Sequence, residues 1–150
     1  MTNPRNAVPI GSLVLGIVAS ISIHIYVPTA RIIEYPFTLF GIVIIVFAVF
    51  LFVWSVSRFM IYKTDIRPVG APSTLMTSGP YAYSRNPIYA ANILVLFGVC
   101  LLLGSLLPFV VIPVYIAIVR TFVIPFEEQK LTETFGSAYR DYQARVGRWI

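Results

Sequence analysis

Long apolar runs dominate this chain and predict helices that span a membrane. A spanning α-helix needs about 20 largely apolar residues. The run from Phe37 to about Val56 has no charge and is interrupted only by Thr38 and Ser55. The block from Ile88 to Val119 also has no charged residue, and it is long enough for two short helices. The pattern therefore predicts four spans, over about 10–28, 37–56, 88–105 and 108–124.

Breaks in the apolar pattern predict the turns. Gly104, Ser105 and Pro108 mark the turn of a tight helical hairpin inside the third apolar block. Pro125 predicts a break or kink where the fourth span leaves the bilayer, because proline removes a helical hydrogen bond. The polar lead before Ile10 resembles the start of a signal peptide, but no small-x-small cleavage pattern closes the run. A retained first span is therefore predicted.

The tail, residues 126–150, predicts an amphipathic helix that lies against the membrane or caps the bundle. Its apolar positions recur at spacings of three and four residues: Leu131, Phe135, Ala138, Tyr139, Tyr142 and Val146. Gly136 predicts a division into two short helices, and Ser137 is the expected N-cap of the second.

Composition supports one membrane domain over residues 1–150, in the all-α class. Hydrophobic residues make up 58% of the chain and charged residues 11%, against roughly 45–50% and 25% in soluble domains. A disordered tail and an ordinary soluble enzyme are thereby excluded. The single Cys100 can form no internal disulfide. No Ser-His-Asp set, phosphate-binding loop, GxGxxG or His-rich metal cluster is present, which argues against hydrolase, kinase and metal-dependent chemistry.

The basic residues predict the orientation of the chain. Eleven Lys and Arg against six Asp and Glu would suggest nucleic acid in a soluble protein, but these lie between apolar runs. Orientation and anionic lipid explain them there, so no nucleic-acid partner is expected. One face of a four-span layout holds Arg5, Arg58, Lys63, Arg67, Arg85, Lys130, Arg140, Arg145 and Arg148, while the opposite loops have Arg31. Both termini, the linker 57–87 and the tail are therefore predicted to be cytosolic, in the cytoplasmic membrane if the source is prokaryotic.

The first polar cluster is the segment Gly79–Tyr89, GPYAYSRNPIY, at the entrance to the third span. Pro87 suits the first turn of a helix, where its missing N–H costs nothing. A cation, an amide and several phenols at a helix N-terminus could bind an anionic or hydroxyl-bearing ligand. An interfacial aromatic belt with a snorkelling Arg85 explains the same residues without a ligand.

The second cluster is Glu127-Glu128, directly after the fourth span. Two acids in a first helical turn can simply complement the helix dipole. Adjacent helical residues point about 100° apart, so one carboxylate is expected to bind a ligand while the other pairs with Arg85, Arg120 or a tail arginine. The hairpin returns the chain to one membrane face, which predicts that Arg85–Tyr89 and the two glutamates are adjacent.

Three polar residues stand alone in or beside the spans. His24 is expected to be a hydrogen-bonded or packed histidine rather than a catalytic base. Asn92 either extends the pocket or bonds a neighbouring helix. Arg120 is expected to snorkel or to pair with a tail carboxylate.

The carboxyl half of the chain resembles the isoprenylcysteine carboxyl methyltransferase and phospholipid methyltransferase family of integral membrane enzymes. The likeness covers roughly Val69 to Ile150. It rests on TSGPYAYSRNPIYAANILVLFG, the hairpin, and PFEEQKLTETFGSAYRDYQARVGRWI. Gly-Pro-Tyr, Arg-x-Pro-x-Tyr, Glu-Glu, Phe-Gly with its tyrosines and the closing Val-x-Arg-Trp agree in order and spacing. The first two spans match only in being hydrophobic.

The resemblance implies S-adenosylmethionine as methyl donor, bound at the cytosolic face between hairpin and tail. A lipophilic acceptor, a prenylcysteine-like carboxylate or a phospholipid amine, would enter from the bilayer. Cofactor-binding roles pass to Arg85, Asn86, Pro87, Tyr89, Glu127 and Glu128, with Tyr81, Tyr83 and Asn92 as weaker candidates; the candidate catalytic residues are Arg85, Glu127 and Glu128. Prenylcysteine enzymes of the family have His at the position of Asn86. Asparagine keeps the hydrogen bonding but cannot titrate.

Two other functions stay open at this point. Sterol reductases are similar in their carboxyl half and place a nicotinamide cofactor in a comparable pocket, although this chain lacks their extra spans. A small non-catalytic membrane scaffold is the third possibility, which Asn86 modestly favours. For a methyltransferase, a carboxylate acceptor requires no base, whereas an amine requires a glutamate or tyrosine to accept a proton. Tyr139, Tyr142 and Arg145 are candidates for a lid over the cofactor.

Overall fold

The computed structural model describes residues 8–27, 30–61 and 74–149, and it confirms the all-α class. Within those residues the only strand-like pairing is a single bridge between Arg31 and Ser105. The helices are α1 (Val8–Tyr26), α2 (Phe40–Ile61), α3 (Pro87–Leu103), α4 (Val111–Ile118), α5 (Ile124–Phe135) and α6 (Ser137–Arg145). Arg5, Lys63 and Arg67, three of the basic residues that predict the orientation, lie outside the described residues.

Two helical segments of the described chain are long and apolar enough to cross a membrane, Phe37–Arg58 and Leu107–Phe135. Ile10–Tyr26 and Pro87–Leu103 are shorter apolar helices. The count of four spans therefore stays a prediction. The largely exposed apolar side chains of α1 and α2, such as Leu15 and Val43, suit contact with lipid.

The fourth helix does not end at Pro125, so the break that the sequence predicts there is wrong. A π-helical turn, Val119–Val123, joins α4 to α5, and Pro125 lies in the first turn of α5. A wider turn of this kind accommodates the hydrogen bond that proline cannot donate. The continuous helix has 29 residues, or roughly 43 Å against a hydrocarbon core of about 30 Å. Its largely apolar part, residues 107–126, is long enough to cross that core, and the polar turns follow from Glu127 onward.

Two glycines end helices as the sequence predicts. Gly104 follows α3 with a positive φ of 69°, and its N–H donates to Cys100 and Leu101 carbonyls. Gly136 separates α5 from α6 with a φ of 54°. The expected N-cap at Ser137 is wrong: Gly136 occupies the cap position, and no side chain caps α6. Since α6 begins immediately after the left-handed residue, Ser137 is already inside its first turn.

Close packing against α2 fixes α3 in the bundle. A Cβ atom on Gly41 would collide with the Gly98 carbonyl oxygen, and one on Gly98 would lie 2.6 Å from Ile45 Cγ1. Small residues at such a crossing let two backbones approach closely. The buried core on the other side of α3 comprises Tyr89, Leu96, Tyr115, Val119 and Ile124. Helix α3 is therefore held between α2 and the fourth helix.

Candidate active site

The segment before α3 folds tightly over the end of α2. Gly79 has a φ of 64°, and a Cβ atom there would lie 2.6 Å from Arg58 Nε. A 3₁₀ turn follows over Gly79–Ala82, and α3 starts with Pro87 in its first turn, as predicted. Gly79 in its left-handed conformation, together with Pro80 and Pro87, thus sets the direction in which the side chains of Arg85 and Tyr89 point.

Glu128 lies between two arginines from distant parts of the chain. Its Oε1 is 2.8 Å from Arg85 Nη1, and its Oε2 is 2.6 Å from Arg148 Nη2. Arg148 Nε also donates to Oε1 at 3.1 Å. The side chains of Arg85 and Glu128 are 12% and 13% exposed, and that of Arg148 is 37% exposed. Glu128 is the carboxylate that pairs with Arg85 and a tail arginine, and its hydrogen bond to Arg148 raises the pKa of that guanidinium.

Glu127 turns away from the arginines and meets α3. The Tyr89 hydroxyl donates to Glu127 Oε1 at 2.8 Å. Burial raises the pKa of Glu127 to about 7, the Tyr89 hydrogen bond lowers it, and the nearby charge of Glu128 raises it again. The two adjacent carboxylates therefore differ. Glu128 is neutralised by two arginines, whereas Glu127 titrates near neutral pH and accepts a hydrogen bond from the Tyr89 hydroxyl.

The end of the chain closes over the segment that precedes α3. The Arg148 carbonyl accepts hydrogen bonds from Ser84 Oγ and from Asn86 Nδ2, both at 3.1 Å. The Arg85 N–H donates to the Gly147 carbonyl at 3.0 Å. Ser84 Oγ also accepts from the Asn86 N–H at 3.1 Å. Residues 146–149 thus form a clamp, and Asn86 contributes to that clamp through its amide group.

Three buried tyrosines, Tyr81, Tyr139 and Tyr142, lie where α6 meets the segment before α3. Tyr142 Oη donates to the Tyr81 carbonyl at 2.6 Å. The rings of Tyr139 and Tyr142 lie 6.1 Å apart, and both side chains are buried. Burial is the main cause of the raised pKa values of Tyr81, Tyr139 and Tyr142, so their hydroxyls stay protonated and can donate hydrogen bonds.

Comparison with known proteins assigns this arrangement to a family. The sequence model of the family described as phospholipid methyltransferase matches residues 36–138, more than half of the chain, including Arg85, Tyr89 and the two glutamates. The chain belongs to the phospholipid methyltransferase family. An uncharacterized protein of Haemophilus influenzae is 33% identical over 63 residues, which are 42% of this chain and the whole of that protein. No solved structure matches the chain.

Family membership places the protein among membrane methyltransferases. Together with the long apolar helices it supports an integral membrane protein. The comparisons give no support to a sterol-type reductase or to a scaffold. The family match ends at residue 138, so Arg148 and the clamp lie beyond it, and the structure shows which contacts they make.

The structure also separates the remaining candidates. Asn92 is buried, and its Nδ2 donates to Tyr115 Oη at 3.0 Å, which links α3 to α4 one turn below Tyr89. Tyr83 is 73% exposed and lies outside the cluster. Arg120 is exposed on the π-helical turn. His24 Nδ1 is 2.8 Å from Ser105 Oγ, at the other end of the helices, so it is a hydrogen-bonded histidine remote from the glutamates.

Sequence reasoning missed Ser84 and Tyr115. Ser84 stands two residues before Asn86, and a serine there can accept from the following backbone as it does here. That spacing is a usable signal. Tyr115 sits in an apolar run, and nothing in its local pattern indicates that it meets Asn92, 23 residues away.

Proposed function

We propose that this protein is an S-adenosylmethionine-dependent methyltransferase that transfers a methyl group to a lipophilic acceptor in the membrane. The observation that carries the proposal is that two adjacent carboxylates have different partners. Glu128 is held by Arg85 and Arg148, whereas Glu127 has the Tyr89 hydroxyl as its hydrogen-bond donor. A partly buried carboxylate without a cationic partner in the described structure suits a cationic ligand.

The residues present fit the chemistry of this cofactor. S-adenosylmethionine has a sulfonium and an amino group, a carboxylate and ribose hydroxyls. Glu127 offers a carboxylate for a cationic group, and Arg85 offers a guanidinium whose Nε is buried and has no hydrogen-bond partner among the described residues. Tyr81, Pro87 and Tyr89 are buried at this end of the bundle. Because Arg85 contacts Glu128, the neighbour of Glu127, groups complementary to the opposite charges of the cofactor lie beside adjacent residues.

When bound, S-adenosylmethionine supplies an electrophilic methyl group. The residues around it would orient the donor and the acceptor, the clamp of residues 146–149 would shield the site from water, and one side chain would accept a proton where the acceptor requires it. An amine acceptor must lose a proton, and Glu127 can accept it because its pKa lies at about 7. A carboxylate acceptor needs no base. Asn86 cannot act as one, since its amide group does not titrate.

A lipophilic acceptor suits the surroundings of this site. Phe122 and Phe126, on the continuous helix that carries the glutamates, are exposed. They offer a lipid-facing approach. The family description favours a phospholipid amine over a prenylcysteine-like carboxylate as the acceptor. The site and both termini are proposed to face the cytosol.

Titration of the purified full chain in detergent tests the proposal. S-adenosylmethionine and S-adenosylhomocysteine should bind, and NADPH should not. Glu127→Gln should reduce the preference for the sulfonium over the neutral thioether, whereas Glu133→Gln, an exposed position on the same helix that hydrogen-bonds Gln129, should bind both like the wild type. Absence of binding by both S-adenosyl compounds would contradict the proposed function. Transfer of radiolabelled methyl to extracted lipids would then identify the acceptor.

A further inference from the structure

A second polar site lies at the opposite end of the bundle from the glutamates. Helix α3 starts beside Glu127 and has 17 residues, which places its far end roughly 25 Å away. A cavity of about 450 Å³ is found there. Its lining includes His24, Arg31, Glu34, Tyr35, Thr38 and Leu102. None of these side chains takes part in the candidate active site.

Backbone hydrogen bonds hold the wall of this cavity in place. The N–H groups of Ile32 and Ile33 donate to the Gly104 carbonyl at 2.9 and 3.2 Å. Leu106 N–H donates to the Ala30 carbonyl at 3.3 Å. The loop before α2 is thus tied to the turn between α3 and α4, on both sides of Arg31. A charged side chain on such a fixed loop loses less conformational freedom when it binds a ligand than one on a mobile loop.

Two opposite charges face this cavity without neutralising each other. Arg31 and Glu34 are both exposed, and within the described residues neither side chain makes an ion pair or a hydrogen bond. At the other end of the bundle, by contrast, Glu128 is paired twice. A separated Arg and Glu in one cavity complement a ligand that carries a negative and a positive group.

The rim of the cavity is apolar and aromatic. Tyr26, Tyr35, Phe37 and Leu106 are all exposed around the same end of the helices. Aromatic side chains concentrate where a membrane meets water, at the depth of lipid headgroups. A ligand of this cavity is therefore expected to be part of the bilayer, with its chains along the exposed apolar faces of α1 and α2.

We propose that this cavity binds the headgroup of a zwitterionic phospholipid, with Arg31 on the phosphate and Glu34 on the primary ammonium of an ethanolamine group. This lipid belongs to the leaflet opposite the glutamates. At such a separation its amine is out of reach of the candidate active site, so it is a bound lipid and not the methyl acceptor. The proposal is independent of the proposed function.

Native mass spectrometry of the delipidated full chain tests this assignment. The probes are dioleoyl phosphatidylethanolamine, phosphatidylcholine and phosphatidylglycerol, with soluble phosphoethanolamine as competitor. Phosphatidylethanolamine should be retained best, because Glu34 can accept hydrogen bonds from a primary ammonium but not from choline. Arg31→Gln should lower retention of phosphatidylethanolamine about tenfold, and Glu34→Gln should remove its preference over phosphatidylcholine. Arg31→Lys should keep most of the retention.

Matched controls at the other end of the bundle are Arg140→Gln and Glu133→Gln, two exposed residues that should leave retention unchanged. Circular dichroism of each variant shows whether it remains helical. Equal retention by wild type, Arg31→Gln and Glu34→Gln would overturn the proposal. Preferential retention of phosphatidylglycerol that is insensitive to Glu34→Gln would overturn it as well, since that result indicates a general anionic-lipid contact. Full displacement by soluble phosphoethanolamine would overturn the lipid as the source.

Discussion

Charged side chains at the two ends of the helical bundle lie in opposite environments: they are paired at one end and exposed at the other. At the start of α3, Glu128 is enclosed by Arg85 and Arg148, and the peptide carbonyl of Arg148 is bound by Ser84 and Asn86. At the end of α3, Arg31 and Glu34 stand exposed. Removing a charge from water is costly unless it is paired. The charge of Glu128 is therefore neutralised within the protein, whereas the charges of Arg31 and Glu34 remain accessible to a ligand.

This contrast explains why the candidate chemistry lies at the paired end. Ion pairs fix Arg85 and Glu128. The neighbouring Glu127 is held in place separately, by the hydrogen bond from the Tyr89 hydroxyl. Preorganised groups of this kind need little rearrangement when a charged ligand binds. The exposed pair at the other end has no second layer of side-chain partners in the described structure, which suits recognition of a headgroup and not group transfer.

The largest expected effect comes from Glu128→Gln. This change preserves shape but leaves Arg85 and Arg148 without their counter-charge, so affinity for S-adenosylmethionine should fall about 100-fold. The free energy of unfolding should drop by about 1–2 kcal/mol, a modest value because Arg148 is partly exposed. Glu34→Gln is the matched change at the unpaired end, and its effect on stability should stay within about 0.5 kcal/mol. Denaturant unfolding in detergent and calorimetric titration measure both. Equal losses for the two variants would abolish the contrast between the ends.

A smaller effect follows from the titration of Glu127. Its pKa is raised to about 7 by burial, so below that pH the carboxyl is protonated in the free protein and must lose its proton to bind a cation. Affinity for S-adenosylmethionine should rise about tenfold per unit of pH below 7 and level off above it. Stability should run the other way. Because the unfolded carboxyl loses its proton near 4.5, the free energy of unfolding should decrease as pH rises from there to about 7.

Glu127→Gln is the control for both curves. Its binding profile should be flat over the same interval, and the decrease in stability should be absent. A wild-type affinity that does not vary between pH 5 and 7 would place the charge of Glu127 outside the binding process.

Several features of the fold were predictable because local chemistry determines them. Pro87 starts α3, Gly104 ends it, and Gly136 divides the tail, and each acts through its own backbone preference. The approach of Arg85–Tyr89 to the two glutamates followed from the hairpin alone. The family resemblance was likewise carried by short, ordered motifs.

Other features depend on partners that are distant in sequence. Pro125 predicts a break by local rules, but the π-helical turn before it lets the helix continue. The amide of Asn86 bonds a carbonyl 62 residues away. No periodicity in the sequence encodes such a contact, and the same is true of Arg31 and Glu34 beside the hairpin turn. These are the features for which the structure was necessary.

The smallest expected effect concerns the hydroxyl that supports Glu127. Tyr89→Phe removes the 2.8 Å hydrogen bond to Glu127 Oε1 and keeps the ring in the core. Because this bond lowers the pKa of Glu127, its loss should move the midpoint of the binding curve to higher pH and weaken binding at pH 7 about threefold. Tyr83→Phe removes an exposed hydroxyl six positions earlier and should change neither value. If both variants shift the curve equally, the effect belongs to the segment as a whole; if only Tyr89→Phe does, a single buried hydroxyl adjusts the pKa of Glu127, the glutamate beside Glu128.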